Sequence, residues 1–130
     1  LPTYQTTGAA GFDLAASAEV VVPPGRIALV PTGLVIEVPA GHLLGIFARS
    51  STPLRRGLVV ANGVGVVDSD YCGPVDEVKI QVLNITDAPV TVARGDRIAQ
   101  GIILACTRAE WVDEDAPPAT QTRGGFGSTG

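Results

Sequence analysis

Short runs that alternate apolar and polar residues, broken every few positions by proline or glycine, recur along most of this chain. Period-two alternation sends successive side chains to opposite faces, which is the signature of a half-buried strand. It predicts strands over Ala18–Val22, Arg26–Val30, Leu34–Val38 and His42–Ala48, separated by Pro23-Pro24-Gly25, Pro31-Thr32-Gly33 and Pro39-Ala40-Gly41. Gly57–Ala61 and Val64–Val67 flank Asn62-Gly63, a dipeptide that signals a two-residue hairpin because both residues tolerate positive φ. Val78–Leu83 alternates, Val90–Ala93 runs into the turn Arg94-Gly95-Asp96, and Ile98–Ala105 is almost continuously apolar, as in a buried strand. One short helix is predicted around Thr52–Arg56, capped by Ser51 or Thr52. Asp13 follows Gly8-Ala9-Ala10-Gly11-Phe12 and reads as part of a small-residue loop. Many short strands at even spacing argue for an all-β sandwich or barrel.

Composition narrows this picture. With 130 residues the chain is one domain, and at 45% apolar it can bury a core. Aromatics are only 5%, so Val, Ile, Leu and Ala must build that core. A net charge of −4 argues against a nucleic-acid or anionic-membrane surface. His42 is the single histidine, expected as a partly exposed strand residue, so histidine metal sites and a Ser–His triad are set aside. Cys72 and Cys106 are too few for a disulfide framework or zinc site. No apolar run reaches membrane-spanning length and no signal peptide is recognised, so a cytoplasmic or otherwise intracellular protein is expected. The absence of methionine suggests that N-terminal residues of the parent chain precede Leu1. The strand pattern fades after Ala105 through Trp111, Asp113-Glu114-Asp115 and Pro117-Pro118. The expected division is a β domain over 1–106 and an arm over 107–130.

Five segments carry candidate chemistry. The tail, Arg123-Gly124-Gly125-Phe126-Gly127-Ser128-Thr129-Gly130, cannot fold alone but can wrap an anion. Its glycines let N–H groups approach phosphate, Arg123 offers a donor fork, Ser128 a hydroxyl, and Phe126 a face for a base. Taken alone, a flexible Gly/Ser end explains it as well. Arg49-Ser50-Ser51 opens the predicted helix, where hydroxyls and N–H groups suit an anion, or simply cap a turn. Between Gly65 and Gly73 lie Asp68, Asp70 and Tyr71, at a hairpin-like bend where Asp is also an ordinary turn residue. Gly95-Asp96-Arg97-Ile98-Ala99-Gln100 is a turn into a buried strand.

Taken in order, these segments closely resemble the five motifs of the trimeric dUTPases: Ala10–Leu14, Arg49-Ser50-Ser51, the stretch from Asn62 to Gly73, Gly95–Gln100, and the Gly-rich tail. The resemblance implies a β-clip or jelly-roll-like barrel whose C-terminal arm is exchanged in a homotrimer. It implies hydrolysis of dUTP to dUMP and pyrophosphate at three sites between subunits, with Mg²⁺ on the triphosphate. By match to the motifs, Asp68 activates the attacking water, and Asp13 acts on the metal indirectly, through its waters. Arg49, Ser50, Ser51, Gln100, Arg123, Gly127 and Ser128 fall at phosphate-binding motifs. Asn62 and Gly65 would read the uracil edge, Tyr71 would exclude a ribose 2′-hydroxyl, and Phe126 would stack over the base.

Two departures stand out. Ser51 replaces the glycine usual in the second motif, as Arg-Ser-Ser also does in the related dCTP deaminases. The stretch Gly73–Val78 is about three residues longer than the resemblance implies, which suggests a bulge or longer loop at the uracil pocket. The alternatives are a dCTP deaminase-like enzyme of the same fold, with Glu77 near its required glutamate, or an inert nucleotide-binding regulator.

Overall fold

The computed structural model describes residues 1–116 and 121–130, so Pro117 and Pro118 of the expected arm lie outside the described residues. Among the described residues the chain forms β1 (Phe12–Ala15), β2 (Val20–Val22), β3 (Ile27–Pro31), β4 (His42–Ala48) and α1 (Ser51–Arg56). There follow β5 (Leu58–Val60), β6 (Gly65–Val67), β7 (Lys79–Asn84), β8 (Val90–Val92) and β9 (Arg97–Ala105). The ladders form three sheets, ordered β1-β9-β4-β6, β2-β8 and β3-β7-β5, with every pair antiparallel. This is an all-β, jelly-roll-like arrangement of open sheets.

Alternation decides which side chains enter the core. Leu14, Val22, Val30, Leu44, Leu58, Ile80, Val82, Val92 and Ile98 are all fully buried. Each such aliphatic side chain contributes about 1.5–3 kcal/mol relative to leaving it exposed. The core is aliphatic, as the composition requires, with Phe12 its one aromatic member. Packing is tight at Gly101 in β9, where a Cβ would sit 2.6 Å from the Phe12 ring and 2.9 Å from Leu44 Cδ1.

Four local expectations need correction. Asp13 lies in β1, not in a loop, and pairs with Gln100 of β9. Asn62-Gly63 makes a tight turn, with Gly63 N–H donating to Val60 O at 3.0 Å, yet β5 and β6 do not pair. β5 joins β7 and β6 joins β4, so the turn carries the chain from one sheet to another. A turn signal specifies the reversal and leaves the partners to the longer strands. Leu34–Val38 keeps alternating burial but forms no ladder; Val78 N–H donates to Leu34 O at 2.8 Å, and no register continues from it. At α1 the N-cap is Ser50, whose side chain makes no capping bond, and Ser51 is the first helical residue. Gly57 ends the helix in the left-handed region at φ 64°.

Thr52, expected as a possible cap, has another task. Its buried hydroxyl accepts the Arg49 N–H at 3.1 Å and donates to Ile98 O at 2.7 Å. The start of α1 is thereby bonded to β9. Asn84 plays the same part elsewhere. Fully buried, it donates to Val22 O (2.9 Å) and Ala88 O (2.8 Å) and accepts from Thr86 N–H and Oγ1. Asn84→Ala removes four hydrogen bonds, of which only those of Thr86 Oγ1 and Ala88 O are partly replaced by the bond between them, and an unsatisfied buried group costs about 1–3 kcal/mol. Urea unfolding followed by circular dichroism should show a loss of about 2–3 kcal/mol. A change within experimental error would mean that these groups find other partners.

Candidate functional site

The chain carries two groups of candidate residues at different levels of one sheet. The first surrounds an open cavity of about 360 Å³ lined by Asn62, Gly65, Asp68, Tyr71, Val75 and Glu77, among others. β6 supplies Gly65 and leads straight into Asp68, so a ladder aimed by β4 fixes the approach of that carboxylate. Asp68 is exposed, and its carboxylate accepts no hydrogen bond among the described residues. Tyr71 closes its turn by donating its N–H to Asp68 O at 3.2 Å, and its hydroxyl donates to Glu77 O at 3.3 Å.

The longer Gly73–Val78 stretch is a compact turn at the cavity wall. Gly73 N–H donates to Asp76 Oδ2 at 2.8 Å, and Asp76 N–H donates back to Gly73 O at 3.0 Å. Glu77 does enter the cavity, but its Oε1 accepts the Gly33 N–H at 2.8 Å.

The second group sits where β1, β4 and β9 end near α1. Asp13, largely buried, bridges two arginines: Arg49 Nε at 2.9 Å and Arg97 Nη1 at 3.0 Å. Arg49 Nη1 also donates to Arg97 O at 3.0 Å. Gln100 lies beside Asp13 in the β1–β9 register and donates to Ala48 O at 3.1 Å. Ser50 is exposed, and Ser51 is half-buried at the start of α1. Arg97 lies within the Gly95–Gln100 segment, and the motif order alone implies no role for it. Its signal was a cation just before the apolar run of β9, meaningful only once β1 is known to pair there.

These groups stay apart on one chain. Val67, which precedes Asp68, pairs with Leu44, whereas Arg49 leaves the far end of β4 five residues on. Five residues of strand span about 16 Å. Arg123, Phe126, Gly127 and Ser128 are exposed and line no part of the Asp68 cavity. Their segment folds on itself: Ser128 N–H donates to Gly125 O at 3.1 Å, and Phe126 takes a positive φ of 51°.

Asp96, in the turn before β9, accepts from Arg56 Nη1 at 2.8 Å and from Ala93 N–H at 2.9 Å. The hydrogen bond from the Arg56 guanidinium, reinforced by the Ala93 N–H, holds its carboxyl below the usual 3.8.

The family model for dUTPase matches residues 1–130. A deoxyuridine 5'-triphosphate nucleotidohydrolase of Anaeromyxobacter sp. (strain Fw109-5) is 47% identical, across 100% of this chain and 87% of that relative. The solved dUTPase from Streptococcus mutans is 37% identical with a TM-score of 0.81, over 85% of this chain and 89% of that one. The Staphylococcus bacteriophage 80alpha dUTPase with dUPNHPP gives a TM-score of 0.86 over 100% of this chain and 91% of that one. At 23% identity it speaks for the fold alone.

A depressed carboxylate stabilises the fold above its unfolded pKa, and that stability is lost as pH falls through the folded value. Asp96→Asn should therefore unfold at lower urea than the parent at pH 7, and the gap should close as pH drops below 3.8. Urea midpoints across this range check it; a gap that stays constant with pH would mean that the charge of Asp96 is irrelevant.

Proposed function

The chain belongs to the dUTPase family and hydrolyses dUTP to dUMP and pyrophosphate, and from that premise we propose how its residues share the reaction. The observation that carries the proposal is the separation of two complementary half-sites on one chain. The Asp68 cavity of one subunit meets the Asp13–Arg49–Arg97 cluster of a neighbour, and the arm over 107–130 reaches across to close the site. A homotrimer gives three such composite sites by cyclic symmetry.

In the assembled site Asp68 accepts the proton of a water as that water attacks phosphorus, and pyrophosphate leaves. A carboxylate with no internal partner is free to accept that proton, and a positioned general base contributes roughly 10²–10⁴-fold. Arg49, Ser50 and Gln100 hold the phosphate chain together with Arg123, Gly127 and Ser128 of the tail. Arg97 joins them through Asp13, which fixes both guanidinium groups before the nucleotide arrives. Arginine suits this task because its planar fork matches phosphate oxygens. Ser51 adds a hydroxyl at the start of α1. Asn62 and Gly65 read the uracil edge, Tyr71 packs on the deoxyribose, and Phe126 stacks over the base.

A divalent cation fits this donor set only as the partner of the triphosphate. No three His, Cys, Asp or Glu side chains cluster among the described residues, so the protein offers no cage of its own. Mg²⁺ keeps most of its waters when bound through phosphate, and Asp13 retains lone pairs to accept from them. Bound there, the ion neutralises charge on the phosphates.

Asp68→Asn should retain assembly and nucleotide binding but lose about 10²–10⁴-fold in kcat for pyrophosphate release. Near-parent turnover would move the base elsewhere, with Asp70 the next carboxylate. The composite site makes a second test. Asp68→Asn and Arg49→Ala proteins should each be nearly inactive alone. Mixed, denatured and refolded together, they should regain activity, because some sites then draw an intact half from each. Light scattering should give a trimer mass. No recovery on mixing, or an active monomer, would place the whole site on one chain.

A further inference from the structure

The Tyr71 ring is only partly enclosed by its own subunit. It stands 41% exposed, and an aromatic side chain so placed can swing about χ1. A ring that swings cannot exclude one hydroxyl. Its one polar anchor among the described residues is the carbonyl of Glu77, six residues on, at 3.3 Å.

The residue that bears that carbonyl is in turn tethered through its side chain. Gly33 N–H donates to Glu77 Oε1 at 2.8 Å. Next to it Thr32 Oγ1 donates to Val78 O at 2.5 Å, and Val78 N–H donates to Leu34 O at 2.8 Å. Residues 32–34 thus clasp residues 77–78 from behind the cavity wall that Glu77 and Val78 line. The Gly73–Asp76 turn, closed at both ends by its own hydrogen bonds, spans the distance between Tyr71 and Glu77. Gly33 lies 44 residues from Glu77 in the chain, so the clasp ties the turn to a distant part of the fold.

We propose that Glu77 is a positioning residue for sugar selection: its carboxylate, fixed by Gly33 N–H, sets the carbonyl that holds the Tyr71 hydroxyl and so the plane of the Tyr71 ring. The inference rests on Tyr71 packing against the deoxyribose. Glu77 touches no reacting atom in this role. Loosening the clasp lets the ring give way to a 2′-hydroxyl while leaving Asp68 and the phosphate contacts intact.

The test compares kcat/KM for dUTP and UTP, by pyrophosphate release, in the assembled enzyme and five variants. Tyr71→Ala should give the largest rise in the UTP/dUTP ratio. Tyr71→Phe keeps the ring and removes the donor; Glu77→Ala keeps the carbonyl and removes its tether. Each should raise the ratio about 3- to 10-fold, the equivalent of one hydrogen bond, chiefly through a higher kcat/KM for UTP. Glu77→Gln, whose amide oxygen still accepts from Gly33, should stay near the parent ratio. The double variant Tyr71→Phe with Glu77→Ala should exceed neither single variant, since both cut one link. If Tyr71→Ala moves the ratio and neither Tyr71→Phe nor Glu77→Ala does, the anchor is overturned and the sugar reading stands. If Tyr71→Ala leaves the ratio unchanged, the sugar reading fails and takes the anchor with it. Tyr71→Phe is a minimal change at an exposed ring, so it decides the matter even should Glu77→Ala fold poorly.

Discussion

The ladder between β4 and β9 is the constraint from which the rest of the molecule follows. All seven residues of β4 find partners in β9, from His42 opposite Ala105 to Ala48 opposite Ala99. β9 is gripped on its other edge by β1, which puts Asp13, Gln100 and Phe47 in one row across three strands. Side chains alternate with period two, so a slip of one residue would turn every inward residue of β9 outward. Ile98 and Gly101 admit no such slip, the first because it is fully buried and the second because Phe12 and Leu44 crowd it. Core packing therefore fixes the register, and the register carries the charged residues to their places.

How far the sequence discloses this depends on the kind of interaction. Apolar patterning finds eight of the nine strands among the described residues, β9 by its continuous apolar run, because burial writes itself into neighbouring residues. β1 escapes it: Phe12 and Leu14 do point inward, but four residues set among small ones are too short a signal. Leu34–Val38 shows the converse, since alternation reports faces and says nothing about a ladder partner. Asn62-Gly63 likewise marks a reversal and not the pairing that follows. Asp68, Tyr71 and Arg49 could be picked out through the order of motifs along the chain. The partnerships of Arg97 with Asp13 and of Glu77 with Gly33 could not, because they span 84 and 44 residues.

The two levels of the large sheet differ in charge as well as position. The cavity level carries Asp68 and Glu77, with Lys79 as its cation. The opposite level gathers Arg49, Arg97 and, beside Asp96, Arg56. Opposite poles on one subunit favour head-to-tail contact between copies, and a head-to-tail contact closes into a ring when its rotation permits. In the proposed trimer the same polarity would set a general base facing phosphate-binding groups, so that assembly and catalysis would draw on one charge pattern.

Asp13 gives the arginine cluster an internal counter-ion. Two guanidinium groups and one carboxylate leave a net charge of +1 where two bare arginines would present +2. Long side chains held in this way lose little freedom when an anion arrives, since most of their rotamer entropy is already gone. They also pull on that anion less strongly. Attraction shared equally by substrate and transition state does nothing for the rate of the chemical step. If these arginines hold the phosphate chain as proposed, a muted cluster would suit a cycle that must release pyrophosphate after every turnover, with the carboxylate in place to take back each arginine.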